Sequence, residues 1–321
     1  MAQPFVVGVD LGGTKIHTVL ADGRGQVKAE IVVPTKAEEG VDVVLNTLIQ
    51  SITSLTHAAG LALHKRDIRG VGVGAPGPLD TRTGVVYVAP NLGWRNVPLK
   101  SRLEAALQLP VLIDNDANLA ALGEQRFGAG QRVSPLICLT LGTGIGGGII
   151  IDHQLYRGVS DGAGEVGHMT VEPDGPLCNC GNYGCLEVMA SGSAIARLAR
   201  EAVAQGRARG ILTRAGGDPG KITARVVVHA ATDGDEEARS IVERAGRYLG
   251  IGVANLINLF NPAMIVLGGG LVQSGPLLFA AMEREVERRA FGHLRQAVKI
   301  VPAQLGERAG ALGAVALVLE Q

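Results

Sequence analysis

The sequence lacks net charge: 30 lysines and arginines balance 30 aspartates and glutamates over 321 residues. A balanced chain argues against a basic nucleic-acid-binding surface. It also lacks an apolar run long enough for a membrane span. Its opening, MAQPFVVGVD, has neither a basic n-region nor a cleavage site, so no secretory leader is expected and a cytoplasmic protein is. Nowhere does G-x-x-x-x-G-K-[ST] occur, which excludes a P-loop. Cysteine is scarce, at four residues, and without a leader a disulfide framework is not expected.

What is present is glycine, 46 residues in clusters that follow apolar runs. Such clusters mark turns where backbone must approach a ligand closely. The length suggests two domains or one large one, and the 46% hydrophobic content supplies ample core.

Three of the four cysteines fall in EVGHMTVEPDGPLCNCGNYGCLE, residues 165–187. With His168 they give the spacing H-x9-C-x-C-x4-C, ending at Cys178, Cys180 and Cys185. Three thiolates and an imidazole at this range suit a tetrahedral Zn2+. Four protein ligands leave no open position, so the metal is expected to be structural. Glu165 and Glu187 bracket the knot and are not needed as ligands. Cys138, in LICLTL, reads as an inert buried thiol.

Along the chain, strands are expected at 5–9, 16–20, 68–73, 111–113, 137–141, 149–151, 265–267 and 298–301. Helices are expected at 41–59, 99–107, 119–127, 194–204, 235–260, 277–289 and 309–319. The alternation gives an α/β architecture. Residues 206–221 read as the most loop-like stretch, and 91–94 as a loop. The pattern strand, glycine turn, strand occurs twice, with DLGGTK at 10–15 and LGTGIGGG at 141–148. The second contains G-x-G-x-x-G at Gly142, Gly144 and Gly147. A dinucleotide fingerprint needs a helix next, but GGIIID reads as a strand, so that reading is rejected. A strand–turn–strand still binds phosphates through its backbone N–H groups. The triple glycine 268–270 adds a third such turn.

If the phosphate held at such turns is transferred to a hydroxyl, a base is needed. Asp116, in IDNDAN, follows a short strand and is expected to emerge at its end, where active-site groups sit. Asp114 competes, and either could instead cap the following helix. Glu165, His168 and Glu187 together offer several hydrogen-bond acceptors.

GEVGH, CNCGNYGCLE and these further motifs resemble the ROK family of bacterial sugar kinases, and within it the glucokinases, over nearly the whole chain. The resemblance implies a two-domain actin/hexokinase-like (ribonuclease H-like) ATPase fold with a cleft between domains and a zinc loop. The small domain is expected at 1–117 plus 306–321 and the large one at 118–305. It implies ATP-dependent phosphorylation of glucose at the 6-hydroxyl, giving glucose 6-phosphate. In that reading Asp10 orients hydrated Mg2+. Gly12, Gly13, Thr14 and Lys15 approach the transferred phosphoryl, and Thr143, Gly144 and Gly269 serve the nucleotide from the other domain. The resemblance places the base on Asp116 and sugar contacts on Gly77, Asn91, Asn115, Asp116 itself, Glu165, His168 and Glu187. Homodimers or homotetramers are common in such kinases; the apolar residues Leu249, Ile251, Val253, Leu256 and Ile257 within 235–260 exceed one buried face, most of them expected in the core and the excess a candidate for that contact. The alternatives are a kinase for N-acetylmannosamine, N-acetylglucosamine, fructose or mannose, and a sugar-responsive ROK regulator. Such regulators carry a helix-turn-helix ahead of this region, which this chain's opening does not resemble.

Overall fold

The computed structural model describes residues 4–321, with Gln273 and Ser274 described by backbone alone. Met1, Ala2 and Gln3, part of the stretch read for a leader, lie outside the described residues. The chain opens with β1 (Phe5–Leu11), β2 (Lys15–Ala21), β3 (Val27–Pro34), α1 (Val41–Ala58), β4 (Ile68–Ala75), β5 (Leu79–Asp80), β6 (Val85–Ala89) and β7 (Trp94–Pro98). It continues through α2 (Leu99–Leu107), β8 (Val111–Asn115), α3 (Asp116–Phe127), β9 (Leu136–Leu141), β10 (Ile145–Ile151), β11 (Gln154–Leu155), α4 (Leu186–Ala190) and α5 (Gly192–Ala204). It closes with α6 (Arg209–Arg214), α7 (Ala224–Thr232), α8 (Glu236–Phe260), β12 (Met264–Gly268), α9 (Pro276–Arg289), α10 (Gly292–Ala297), β13 (Lys299–Pro302) and α11 (Ala309–Leu319). Among the described residues no helix is long and apolar enough to cross a membrane.

Two five-stranded sheets repeat one plan. Their orders are β3-β2-β1-β4-β8 and β11-β10-β9-β12-β13, with a small third sheet β5-β6-β7. In each large sheet a pair of consecutive strands joined by a glycine turn is flanked by the next strand on one side and two later strands on the other. β1 pairs antiparallel with β2 and parallel with β4, β4 pairs parallel with β8, and β12 pairs parallel with β13. The echo of the glycine turns in the sequence is therefore an echo of topology.

Contacts group the chain into two compact units: 1–138 with 148–164 and 303–321, and 139–147 with 165–302. The expected division put 118–138 with the larger domain. The contacts join that stretch to the first unit because α3 packs on α11, with Leu119 and Leu122 against Ala314, Ala316 and Leu317.

The first unit's core fills both faces of its sheet. α1 contributes Leu45, Leu48, Ile52 and Leu55 to one face, spaced at three and four as an amphipathic helix requires. On the other face lie Ala311, Val315 and Val318 of α11. Gly8 and Gly72 allow this helix to lie on the strands, since a Cβ on either would stand 2.1 Å from a carbonyl of α11.

The second unit is organised on α8. Asp235 caps it by accepting from the N–H of Ala238, and Asn261, at φ 43°, ends it in the left-handed region. Leu249, Val253, Leu256 and Ile257 are buried in the chain's own core. The apolar excess that suggested a subunit contact at these four positions thus serves internal packing.

The stretch 206–221 is more ordered than its composition suggested. It holds α6, anchored by the fully buried Ile211, and a 3-10 turn at Pro219–Lys221 capped by Asp218. α7 was not legible either; Thr223 caps it by accepting from Val226 N–H. β3 alternates half-buried and exposed residues along its whole length.

Candidate functional site

In the first unit the site grows from the turn between β1 and β2. Gly12 N–H donates to Lys15 O at 3.0 Å, and Thr35 braces the turn by donating its hydroxyl to Gly12 O and its N–H to Thr14 O. Asp10, one residue before the end of β1, lies directly opposite His17 on β2. Burial pushes the Asp10 carboxyl above its ordinary range, and the His17 and Lys15 charges pull it back. Lys15 Nζ pairs with Glu307 at 2.7 Å. Behind them, His17 is buried between Glu30 Oε2 at 3.0 Å and the Glu307 carbonyl at 3.3 Å. Arg308 also pairs with Glu30, whose carboxyl it holds below the usual range. The histidines outside the zinc motif read as surface or structural residues, and His17 is of the structural kind.

Asn91 packs on this turn: a Cβ at Gly13 would come within 2.9 Å of the Asn91 Cβ. Asn115 caps α3, accepting from Ala117 and Asn118 N–H at 2.9 and 3.2 Å, and its amide reaches Gly77 O at 3.5 Å. The helix cap is therefore Asn115, and neither neighbouring aspartate fills that role. Asp114 is 1% exposed and accepts from Arg157 at 2.7 Å, Asn118 Nδ2 at 3.0 Å and Asn115 N–H at 2.8 Å. Both its oxygens are committed, so it is a structural anion. Asp116 opens α3, half-buried, with its Oδ1 accepting from Ala117 N–H at 2.8 Å. Arg157 carries no sequence signal that would have marked it.

In the second unit the corresponding turn joins β9 to β10. Gly142 N–H donates to Gly144 O at 2.9 Å. α5 closes on it: Gly192 N–H reaches Gly142 O at 2.9 Å and Ser193 N–H reaches Thr143 O at 3.3 Å. Gly269, at φ 87°, lies so near Leu141 that a Cβ would meet its backbone at 2.4 Å. β10 continues from the turn as a strand, which upholds the rejection of a dinucleotide fingerprint. Beside this turn lies a cavity of about 680 Å³. Thr143, Ser193 and Gly270 line it together with Ile222, Val228 and Leu271, and with Arg200, Arg225 and His229. Thr143 and the triple glycine were read from the sequence; Ser193, Arg200, Arg225 and His229 were missed because helical periodicity marks the core face of α5 and α7, not the face toward a ligand.

The cysteine segment is brought together as expected. His168, Cys178, Cys180 and Cys185 present ligand atoms all within 4.8 Å of one another. Cys180 Sγ and Cys185 Sγ are 3.7 Å apart, as are Cys178 Sγ and His168 Nδ1. Those separations are far too long for a disulfide. They match the edge of a tetrahedron of about 3.8 Å that a metal–sulfur bond of about 2.3 Å generates. Burial pushes the Cys178 thiol up and that of Cys185 up to about 12, whereas the Asn182 N–H pulls Cys180 down. A bound cation reverses such shifts, because a coordinated thiol is deprotonated. The donor set therefore fits a metal ion. Asn182 donates to Cys185 Sγ at 3.4 Å, and Gly184 sits so close to Glu172 that a Cβ would overlap its carbonyl oxygen at 1.5 Å.

His168 turns its other nitrogen, Nε2, toward Glu165 at 3.9 Å. Glu187 lies in the first turn of α4, where Oε2 accepts from Ile145 N–H at 3.0 Å. Cys138 is a buried thiol raised by desolvation, as its apolar strand implied.

A model of the ROK family matches residues 6–321. A glucokinase of Halalkalibacterium halodurans is 39% identical, across 100% of this chain and 97% of the relative. A xylose repressor of Caldicellulosiruptor bescii is 38% identical, across 98% of this chain and 78% of the repressor. A solved ROK family glucokinase from Streptomyces griseus, in complex with glucose and AMPPNP, superposes with a TM-score of 0.85 at 38% identity. That likeness covers 99% of this chain and 100% of the solved one. The chain belongs to the ROK family, and its α/β architecture is that of ROK sugar kinases.

Proposed function

We propose that the protein transfers the γ-phosphoryl of ATP to the 6-hydroxyl of glucose. The observation that carries this reading is the end-to-end likeness to the Streptomyces griseus glucokinase with its two bound ligands. Asp116 takes the hydroxyl proton as the oxygen attacks the γ-phosphorus, and ADP leaves. The choice of Asp116 over Asp114 is supported by the Arg157 pair and the Asn118 bond that occupy Asp114. Asn115, Gly77 and Asn91 contact the sugar, and Glu165, His168 and Glu187 supply further acceptors.

Phosphoryl transfer asks chiefly for positioning and charge neutralisation. Gly12, Gly13 and Thr14 offer backbone to the transferred group, Lys15 a positive charge, and Asp10 a carboxylate for hydrated Mg2+. Mg2+ arriving with ATP neutralises charge on the phosphates. Thr143, Gly144 and Gly269 serve the nucleotide, with the apolar wall of Ile222, Val228 and Leu271 suited to the base. In the Cys–His cluster we place a structural Zn2+, held by His168, Cys178, Cys180 and Cys185. Through His168 it fixes the segment that carries Glu165 and Glu187. Assembly as a homodimer or homotetramer belongs to this reading. Its support is the exposed Leu259, Phe260 and Phe291, and sedimentation giving only monomer at micromolar concentration refutes it.

The test is an ADP-release assay across a panel of hexoses and phosphoryl donors. Glucose with ATP is expected to give the highest kcat/KM. A better turnover of N-acetylmannosamine, N-acetylglucosamine, fructose or mannose reassigns the sugar. The xylose repressor relative favours one other reading, a regulator. Sugar binding without ADP release identifies that.

A further inference from the structure

The turn assigned to the nucleotide and the carboxylates assigned to the sugar meet at Ile145. This residue directly follows Gly142–Thr143–Gly144. Its N–H donates to Glu187 Oε2 at 3.0 Å. A Cβ on Gly144 would stand 2.2 Å from that same oxygen and 3.1 Å from the carboxyl carbon. The Ile145 carbonyl faces Gly167, where a Cβ would come within 2.0 Å of the oxygen. Gly167 lies between Glu165 and His168. Both peptide groups of Ile145 are thus closed off by segments that carry sugar-side residues. The chain carrying Glu187 then touches the turn again, through Gly192 N–H to Gly142 O at 2.9 Å.

Resting on the function proposed above, we propose that Gly144 and Glu187 form a joint that places the nucleotide-side turn and the sugar-side carboxylate as one body. Gly144 is then a positioning residue for the sugar, although it belongs to the turn that serves the phosphates. The reasoning is steric and electrostatic. A carboxylate with one oxygen fixed by a backbone N–H has its second oxygen fixed in direction. A methyl on Gly144 occupies the place of the bonded oxygen. Gly142 and Thr143 are held by α5, so the carboxylate must move. Its hydrogen bond, of the stronger charge-assisted kind, is then lost along with the aim of the free oxygen. In the other direction, removing the carboxylate strips the Ile145 N–H of its acceptor and loosens the turn.

Two measurements test this. First, glucose is titrated calorimetrically into nucleotide-free wild type and Gly144→Ala. The variant is expected to bind glucose at least tenfold more weakly, and unchanged affinity in a folded variant overturns the joint. Second, AMPPNP with Mg2+ is titrated into sugar-free Glu187→Gln and Glu187→Ala. Glutamine keeps an acceptor for the Ile145 N–H and alanine does not. Alanine is expected to weaken AMPPNP binding severalfold more than glutamine, and equal affinities overturn the joint. Should Gly144→Ala fail to fold, the Glu187 pair decides alone. A wild type that neither binds nor phosphorylates glucose rejects the function proposed above, and the AMPPNP comparison still decides the joint.

Discussion

The turn between β1 and β2 is ringed by charge, and the turn between β9 and β10 is packed against backbone, with Arg200, Arg225 and His229 on the wall of the adjoining cavity. Asp10, Lys15 and His17 flank the first, with Glu30, Glu307 and Arg308 behind them. Around the second stand the N–H groups of Gly192 and Ser193, the close-packed Gly269 and the single carboxylate of Glu187. Both are glycine turns between consecutive strands of similar sheets. The difference teaches that the turn supplies only a place for phosphate, and the packed neighbours decide whether that place polarises or merely holds. Changes in the first unit's charges should therefore alter turnover while the fold survives. Changes in the second unit's packing should take binding and stability together.

The sharpest version of this contrast is Asp116→Asn. A general base typically contributes about 10²–10⁴-fold, so kcat is expected to fall by that factor while calorimetric glucose affinity stays near wild type. Near wild-type turnover would deny Asp116 the role. Cys180→Ser is the counterpart in the second unit. Wild type is expected to carry about one zinc per chain by elemental analysis, and the variant to lose metal, thermal stability and glucose binding together, because metal binding at such sites is coupled to folding. Active protein free of zinc sinks this.

Arg157→Met breaks a buried pair within the charged unit. Removing one partner strands the other in the interior, at a cost of about 3 kcal/mol, the low end for buried pairs because Arg157 is 30% exposed against 1% for Asp114. A denaturant midpoint unchanged from wild type would show that Asp114 finds water instead. Asp10→Asn tests the price of charge near the first turn. Because burial raises the Asp10 carboxyl, the folded chain retains a proton that the unfolded chain releases. Its contribution is fully present below the ordinary value of 3.8 and is lost as pH rises through the folded value. The variant is therefore expected to be more stable than wild type at pH 7, with the gap closing toward pH 4, and to be poorly active. Urea unfolding at three pH values checks it; a wider gap in acid contradicts it. Smallest is Lys15→Met. Its pair with Glu307 is solvent-exposed, so stability should change by less than about 1 kcal/mol, while the KM for ATP rises. A stability loss well above that would make the pair structural.

Much of this was legible because the chemistry is local in sequence. The Cys–His cluster lies within H-x9-C-x-C-x4-C, and both glycine turns lie between consecutive apolar strands. What was not legible depends on partners far along the chain. Asp114 and Asp116 look equivalent until Arg157 arrives from 43 residues away to claim one of them. Asn115, not an aspartate, turned out to be the cap, since a carboxamide oxygen and a carboxylate serve an N-terminal N–H alike. Glu187 could be seen as a carboxylate beside the zinc ligands, but nothing in its neighbourhood announces its bond to Ile145, 42 residues earlier. The order within 206–221 was hidden because one buried side chain, Ile211, anchors it.

α11 carries a consequence for how the molecule is made. Its side chains complete the core under β1, and its backbone lies against Gly72 of β4, yet 233 residues lie between Ala75 at the end of β4 and Ala309 at the start of α11. During synthesis that face of the first sheet, which meets Leu119 of α3 at Gly74, stays incompletely covered until α11 has emerged. Val6, Val19 and Ala21 must wait that long for Ala311 and Val315. Such long waits expose apolar surface and strand edges to other nascent chains. Holding factors in the cell, rather than the rate of chemistry, are then what a substitution in α11 would first call upon.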